Sequence, residues 1–193
     1  MGADLKGAWK RLRSRYWASL AIDVTIILAA FWLIHAWNTR ELPRDRPAPA
    51  LPALRLDGAR AAPQVPEGQA GVVYFFAPWC FYCRHSIDNL DALVDSGAIA
   101  WARVVALDYG GPGEVRAFVE ETGLRQPVLL GDANTARDWN IHAFPTYFVI
   151  GPGGRIDSRS VGYSTWLGLW ARSRVVSLQS SAENRQVSTP NPP

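Results

Sequence analysis

Two cysteines, Cys80 and Cys83, are separated by two residues and follow the apolar run 72–77. Apolar residues at helical spacing come after them, so the pattern predicts a strand that leads into a helix beginning at Cys80. Unpaired backbone N–H groups and the dipole at a helix start favour a thiolate, the reactive form of cysteine in disulfide exchange. We therefore interpret Cys80 as the nucleophile and Cys83 as the thiol that resolves the mixed disulfide.

A structural disulfide or half of a zinc site are the alternatives for this pair. A closed zinc site takes four ligands, and His35, His85 and His142 add no partner motif of the C-x-x-C or H-x3-H type. Arg84 directly after Cys83 breaks the C-x-x-C-H pattern of haem attachment. A ring closed over so few residues restrains little chain, so stability is a weak reason for a disulfide here. Redox chemistry without a metal or cofactor is favoured.

Strand and helix patterns alternate after the cysteine helix. They predict a buried strand, a helix, a short strand, an aspartate-capped helix, two strands joined by a Gly-Pro-Gly-Gly turn, and a closing helix. Their ranges are 98–107, 114–122, 128–130, 132–139, 146–150, 155–161 and 164–178. This order predicts an α/β domain with a mixed central sheet flanked by helices.

The segment A-P-W-C-F-Y-C, residues 77–83, resembles the active site of the thioredoxin superfamily. Residues 143–149, A-F-P-T-Y-F-V, resemble the second signature of that superfamily, a cis-proline loop that leads into a strand. A hydrophobic segment ahead of the domain narrows the resemblance to the membrane-anchored, TlpA-like thiol–disulfide oxidoreductases. The resemblance implies a thioredoxin-like fold over residues 69–178, with Cys80 and Cys83 as a redox-active disulfide.

The same resemblance implies a substrate-binding surface beside the cysteines. Trp79 would shield one side of the sulfur pair and offer an apolar surface to a flexible substrate. Pro145, if its peptide bond is cis, would leave neighbouring backbone available to an incoming peptide, which could add as a strand. Phe144, next to Pro145, would then influence both cysteine chemistry and substrate choice. An ordinary core tryptophan and an ordinary loop proline are the alternatives.

The chain departs from the family at two positions. Thioredoxins usually carry a buried aspartate where this sequence has Tyr74, and many TlpA-like proteins carry a glutamate where it has Ser86. Such a carboxylate can accept the proton of the resolving thiol. In this chain that role falls to water, to His85, or to a group that the sequence does not identify.

An apolar segment, residues 17–37, is long enough to cross a membrane and carries aromatic residues at both ends. Residues 1–16 hold five basic residues against one acid, which predicts a cytoplasmic N-terminus and an exported domain. A cleaved signal peptide is the alternative, but the apolar run is longer than usual and no clear A-x-A site follows. We therefore predict a single-pass protein of the bacterial inner membrane, in contact with lipid, with a periplasmic domain.

The flanks of the domain have a different composition. Residues 38–68 hold six prolines and predict an extended, semi-rigid stalk, whose second half resembles the short N-terminal strand of TlpA-like domains. The polar residues 179–193 predict a disordered tail. Beyond residue 37 fifteen arginines balance fifteen acids. With the whole excess of positive charge on one short arm, a nucleic-acid partner is not expected.

The leading hypothesis is an enzyme that reduces disulfides of exported proteins, of the cytochrome c maturation or copper-stress type. Its expected partners are exported proteins with disulfides or thiols and an integral-membrane thiol electron donor that recharges the dithiol. A thioredoxin-like module that binds copper or a partner is the main alternative, with the thiols as soft ligands. A purely structural anchor subunit is the third. Thiol titration with and without copper(I) and an insulin-reduction assay separate them.

Overall fold

The computed structural model describes residues 4–163 and 167–171, with side chains from residue 16 onward. The described residues divide between residues 40 and 41 into two separate compact units. The elements are α1 (Asp4–Thr39), β1 (Gly71–Phe76), α2 (Phe81–Arg84), α3 (Asp88–Asp95), β2 (Trp101–Ala106), α4 (Pro112–Thr122), β3 (Val128–Leu130), α5 (Ala133–Asp138), β4 (Thr146–Ile150) and β5 (Ile156–Val161).

The first unit is the long helix α1. Its part Tyr16–Thr39 is apolar and long enough to cross a membrane, and none of the most apolar stretch is buried. Large apolar side chains such as Ile26, Leu28 and Phe31 are each at least 60% exposed. Lipid is the solvent that suits a helix with apolar side chains exposed on every face. The apolar helix expected over residues 17–37 is therefore present, within a longer helix.

The second unit is built on a mixed five-stranded sheet with the order β3-β2-β1-β4-β5. β1 pairs with β2 and β2 with β3 in parallel, whereas β4 runs antiparallel to both β1 and β5. Parallel neighbours need crossover connections, which α2, α3 and α4 supply, and the antiparallel pair β4–β5 needs only a short turn. The predicted α/β class and thioredoxin-like arrangement are confirmed.

The central strand β1 explains why both sheet faces are covered. All six of its residues are buried, and successive side chains of a strand point to opposite faces. Val72, Tyr74 and Phe76 pack in one hydrophobic cluster, whereas Val73 and Phe75 pack in another. A strand that is apolar on both faces needs cover on both sides.

The two clusters define the faces of the domain. The first, which we call the cysteine face, contains Cys80 and Cys83 and is covered by α3, α4 and the helical residues 167–171. The second, the opposite face, is covered by Trp139 at the end of α5 and by the segment before β1. Trp139 is fully buried, packs against Phe75 and donates a hydrogen bond from its indole to the Ala50 carbonyl.

The proline-rich residues 41–68 do not form the stalk expected over residues 38–68. Leu42, Leu51 and Val65 from this segment are buried in the cluster of the opposite face. Prolines exclude helix but fit extended chain, and the apolar residues between them bury their side chains against the sheet. This segment, which we call the strap, therefore belongs to the domain, and the boundary lies near residue 40 rather than at residue 69.

The strap also hydrogen-bonds to both edge strands of the sheet. At β5, the Asp45 amide donates to the Ile156 carbonyl and the Ile156 amide donates to the Arg46 carbonyl. At β3, the Leu56 amide donates to Val128 and the Leu130 amide donates to Leu54. The second contact lies where the sequence predicts a short N-terminal strand, but the chain forms only isolated bridges there, at Leu54 and Arg55.

Most predicted elements lie within a few residues of their observed bounds. The strands 128–130 and 146–150 have their predicted bounds, whereas the strand 98–107 is shortened to β2. Asp132 caps α5, with its side chain accepting a hydrogen bond from the Thr135 amide. Of the closing helix expected over 164–178, residues 167–171 are helical. The remaining part of that helix and the tail 179–193 lie outside the described residues.

Candidate active site

The cysteine pair lies where β1 ends and α2 begins. Cys80 is the N-cap of α2, and its sulfur accepts a hydrogen bond from the Cys83 amide at 3.2 Å. The two cysteines form a disulfide, with their Cα atoms 5.3 Å apart. Cys80 is 5% exposed and Cys83 is completely buried, so the outer sulfur is the one that a substrate can reach.

One expectation for this site is wrong, because the helix after Cys80 is not continuous. The chain leaves α2 after Arg84 and begins α3 only at Asp88. Two side chains take the carbonyl groups that the next turn would use: His85 Nδ1 donates to the Phe81 carbonyl and Ser86 Oγ to the Tyr82 carbonyl. Side-chain hydrogen bonds of this kind compete with the helical pattern. The Cys83 amide, rather than the dipole of a long helix, therefore stabilises negative charge on Cys80.

Tyr74 and Ser86, the two positions without the family carboxylates, contact each other. The Tyr74 hydroxyl lies 2.8 Å from Ser86 Oγ, and both residues are 1% exposed. Since Ser86 donates its proton to the Tyr82 carbonyl, Tyr74 must donate to Ser86. Burial raises the pKa of Tyr74 well above its ordinary value and outweighs the lowering that its hydrogen bond to Ser86 causes. The pair is therefore a neutral hydrogen-bond chain with no group that ionises near neutral pH.

Trp79 and Phe144 meet beside the cysteines. Their rings pack edge to face with centroids 5.7 Å apart. Trp79 is 62% exposed, and its indole donates a hydrogen bond to the Asp108 carbonyl at 3.0 Å, which fixes the ring although it lies in solvent. Phe144 is half-buried and packs against both hydrophobic clusters. An exposed but anchored indole next to Cys80 suits the substrate-contacting role predicted for Trp79.

Pro145 lies at the same end of the sheet, and the Phe144–Pro145 peptide bond is cis. Thr146 pairs with Phe75 in the antiparallel register of β1 and β4. Continuing this register places Pro145 opposite Phe76 and Phe144 opposite Ala77, three residues before Cys80. The fold therefore brings all five predicted site residues to the C-terminal end of β1.

Arg84 is a functional candidate that the sequence analysis missed. Its guanidinium donates to the Pro78 carbonyl at 3.0 Å and pairs with Glu121 of α4 at 3.1 Å. The side chain thus joins the loop before Cys80 to the next helix on the cysteine face. Its position directly after Cys83 was the only signal in the sequence, and it does not indicate which groups Arg84 contacts.

Phe81 and Tyr82, the residues between the cysteines, were also not among the predicted binding residues. They are 66% and 60% exposed and pack edge to face with centroids 5.7 Å apart. The Phe81 ring also lies against the His85 imidazole, with centroids 4.4 Å apart. Two adjacent large aromatic residues between the cysteines were a usable signal, because a contiguous exposed apolar patch marks an interaction site.

Comparisons with known proteins agree with this geometry. The thioredoxin-like protein YneN of Bacillus subtilis is 28% identical over 122 residues, which cover 61% of this chain and 71% of YneN. The thiol:disulfide interchange protein HelX of Rhodobacter capsulatus is 26% identical over 151 residues, which cover 74% of this chain and 84% of HelX.

A solved structure shares the fold. The crystal structure of a thioredoxin family thiol:disulfide interchange protein from Chlorobium tepidum superposes with a TM-score of 0.61 at 24% identity. The match covers 69% of this chain and 97% of that one. The model of the AhpC/TSA family matches residues 45–159, a stretch that takes in most of the strap, the cysteine pair and the sheet as far as β5. Since this match covers more than half of the sequence, the chain belongs to the AhpC/TSA family.

Proposed function

We propose that this protein is a membrane-anchored thiol–disulfide oxidoreductase that reduces disulfides of exported proteins on the periplasmic side of the inner membrane. The observation that carries the proposal is the asymmetry of the cysteine pair: Cys80 caps a helix and keeps 5% of its surface exposed, whereas Cys83, one turn later, is completely buried. Relatives named thiol:disulfide interchange proteins support the same chemistry.

The reaction begins with the reduced pair. The Cys80 thiolate attacks one sulfur of a substrate disulfide, forming a mixed disulfide and releasing the other substrate sulfur as a thiolate. The Cys83 sulfur then attacks Cys80, the mixed disulfide breaks, and the second substrate thiolate leaves. The proton of Cys83 passes to solvent or to the departing sulfur. Two electrons have moved to the substrate, and the Cys80–Cys83 disulfide is the oxidised product.

The aromatic residues around Cys80 supply the substrate-binding surface in this proposal. Trp79 and Phe144 lie on one side of the cysteine, and Phe81 and Tyr82 follow it at the start of α2. An extended peptide that carries a disulfide would lie across these rings, with backbone next to Pro145 as its hydrogen-bonding partner. Recharging by an integral-membrane thiol donor would return the pair to the dithiol, because the anchor keeps the domain close to such a donor.

The trapping experiment tests the thiol chemistry. Cys83→Ala leaves Cys80 able to attack a substrate disulfide but removes the sulfur that releases the product, so mixed disulfides with exported proteins should accumulate. Non-reducing gels of acid-quenched, alkylated cells show them as bands that disappear with reductant. Cys80→Ser, with the other thiol intact, is the matched control. If the two variants gave the same bands, Cys80 would not be the cysteine that attacks the substrate.

The direction of electron flow needs a separate measurement. Acid quenching followed by alkylation of whole cells reports the redox state of the wild-type pair. A reductant should be mostly in its dithiol form when the transmembrane electron supply is intact. A pair found mostly oxidised in those cells would reverse the assigned direction.

Topology is tested with the full-length chain. The basic arm before the apolar helix favours a cytoplasmic N-terminus. A reporter that is active only outside the cytoplasm, fused after the last residue, should be active, and a matched fusion to the N-terminus should not. A stable but inactive C-terminal fusion would contradict the periplasmic placement.

A further inference from the structure

A cleft of about 420 Å³ lies beneath the strap and is separate from the cysteine site. It opens on the opposite face of the sheet, because Val65 of the strap and Leu129 of β3 line it and both pack in the cluster of that face. Cys80 and Cys83 belong to the other cluster. The cleft is lined by Arg55, Ala61, Ala62, Gln64, Val65, Pro66, Arg103, Pro127 and Leu129.

Two arginines enter this cleft from different elements. Arg103 lies on β2, two residues before Val105, so its side chain points to the same face as Val105. Arg55, in the strap, forms an antiparallel bridge with Leu129. Burial lowers the pKa of Arg103, and the positive charge of Arg55 lowers that pKa further. The two cations line the same partly dehydrated cleft, so their like charges repel each other.

The hydrogen bonds of the two guanidinium groups are incomplete. One Arg55 nitrogen pairs with Asp57 at 2.7 Å, but Arg55 Nε is buried and has no hydrogen-bond partner among the described residues. Arg103 donates to the carbonyl of Ala102, an uncharged group. In the described part of the chain no carboxylate lies within ion-pair distance of Arg103. A buried donor without an acceptor and a cation without a counter-ion both cost free energy, which an anion in the cleft would recover.

We propose that this cleft binds a small organic carboxylate between Arg55 and Arg103. The planar guanidinium group matches the geometry of a carboxylate, which accepts two parallel hydrogen bonds. The remaining walls are mainly apolar and include Ala61, Val65 and Pro127. They suit a short hydrocarbon body attached to the acid. The site makes no use of the thiols and stands independently of the proposed oxidoreductase function.

The test is a titration of the full-length, oxidised protein in an uncharged detergent. Butyrate, acetate and inorganic phosphate are added separately at constant ionic strength, and NMR follows the Leu129 methyl groups and the arginine side-chain N–H groups. Butyrate should shift the Leu129 and Arg103 signals along a saturating curve, with a midpoint below those of acetate and phosphate. Tighter binding of butyrate than of acetate would show that the apolar walls contact the hydrocarbon body of the ligand.

Substitutions assign the binding to the two arginines. Arg103→Gln should raise the butyrate midpoint at least about tenfold, because it removes a charge-assisted pair of hydrogen bonds. Arg60→Gln changes an exposed arginine of the strap that does not line the cleft, so its midpoint should equal that of the wild type. Arg103→Lys and Arg55→Gln are second variants that also weaken binding if Arg103→Gln fails to fold.

Three results would overturn the proposal. The first is a butyrate shift that stays linear up to concentrations where bulk salt has the same effect. The second is an unchanged midpoint in the arginine variants that fold. The third is equal midpoints for the three anions, which would show general attraction of negative charge rather than a carboxylate site.

Discussion

The Tyr74 hydroxyl donates a hydrogen bond to Ser86 Oγ across 2.8 Å in the core of the cysteine face. These are the two positions at which the family resemblance leads one to expect carboxylates, one on β1 and one just after α2. Because the two hydroxyl groups satisfy each other, the chain keeps polar atoms at both positions without burying a charge. Ser86 Oγ in turn donates a hydrogen bond to the Tyr82 carbonyl, so the pair also stabilises the turn that follows the cysteines.

Substitutions at this pair should be asymmetric. Ser86→Ala leaves the buried Tyr74 hydroxyl without an acceptor and should lower the free energy of unfolding by about 1–3 kcal/mol. Tyr74→Phe removes the donor, while Ser86 keeps its own hydrogen bond to the Tyr82 carbonyl, so the free energy of unfolding should fall by only about 0.5–1.5 kcal/mol. Urea denaturation measures both. The double variant should lose less unfolding free energy than the two single variants lose together. If the losses in this double-mutant cycle were strictly additive, the two hydroxyl groups would not interact.

Stability at alkaline pH should also depend on Tyr74. In the unfolded chain a phenol ionises near pH 10, whereas burial, with smaller effects of Tyr147 and Asp88, raises the pKa of Tyr74 in the folded protein. The folded state thus holds a proton that the unfolded state releases. The resulting stabilisation is complete below about pH 10 and is lost as the pH rises toward the folded-state pKa.

Urea denaturation of the oxidised protein between about pH 9 and 11 gives the measurement. The wild type should lose stability more steeply than Tyr74→Phe, by up to about 1.4 kcal/mol for each pH unit above 10. The oxidised form is used so that no thiol titrates. Parallel curves for the two proteins would mean that Tyr74 ionises as freely in the folded state as in the unfolded chain.

The two thiols of the reduced protein should react at different rates. Cys80 is 5% exposed and its sulfur accepts a hydrogen bond from the Cys83 amide, whereas Cys83 is completely buried. Iodoacetamide at mildly acidic pH should therefore label Cys80 at least about tenfold faster, as measured by peptide mass spectrometry. In the Cys80→Ser variant the remaining thiol, Cys83, should still react slowly with iodoacetamide. Similar labelling rates in the wild type would contradict the assignment of Cys80 as nucleophile.

The ring pair beside the cysteines should matter for protein substrates more than for small ones. Phe144→Leu keeps apolar bulk but removes the edge-to-face contact with Trp79, which is worth about 0.5–1.5 kcal/mol. We expect kcat/KM for insulin to fall roughly two- to tenfold while the rate with oxidised glutathione stays the same. Leu54→Ala, an exposed apolar position in the strap, is the control. An equal loss with both substrates would assign the ring pair to sulfur chemistry instead of binding.

Local patterns predicted most of the sheet and the cysteine pair. The apolar run before Cys80 and the alternation of strand and helix patterns depend on neighbouring residues, and the corresponding elements were found with small shifts. The break between α2 and α3 could not be predicted in this way. It arises because the side chains of His85 and Ser86 hydrogen-bond to carbonyl groups of the preceding turn. The hydroxyl of Tyr74, on the distant strand β1, supports this arrangement through its hydrogen bond to Ser86.

The strap shows where composition misled the interpretation. Many prolines indicate extended chain, but they do not tell whether that chain is solvated or lies on a sheet. The deciding contacts connect residues far apart in sequence, such as Ala50 with Trp139 and Asp45 with Ile156. The Arg55–Arg103 cleft beneath the strap was missed for the same reason.

The position of the strap has a consequence for self-association. An edge strand with unpaired N–H and C=O groups is a template for joining another chain. One stretch of the strap, residues 45–56, hydrogen-bonds at one end to Ile156, the first residue of β5, and at the other end to β3, so it covers part of each edge of the sheet. A version of the protein that begins at residue 69 would leave these edge groups unpaired and would expose the apolar surface that Leu42, Leu51 and Val65 now cover. Such a fragment would tend to assemble edge to edge into insoluble aggregates, whatever the redox state of its cysteines.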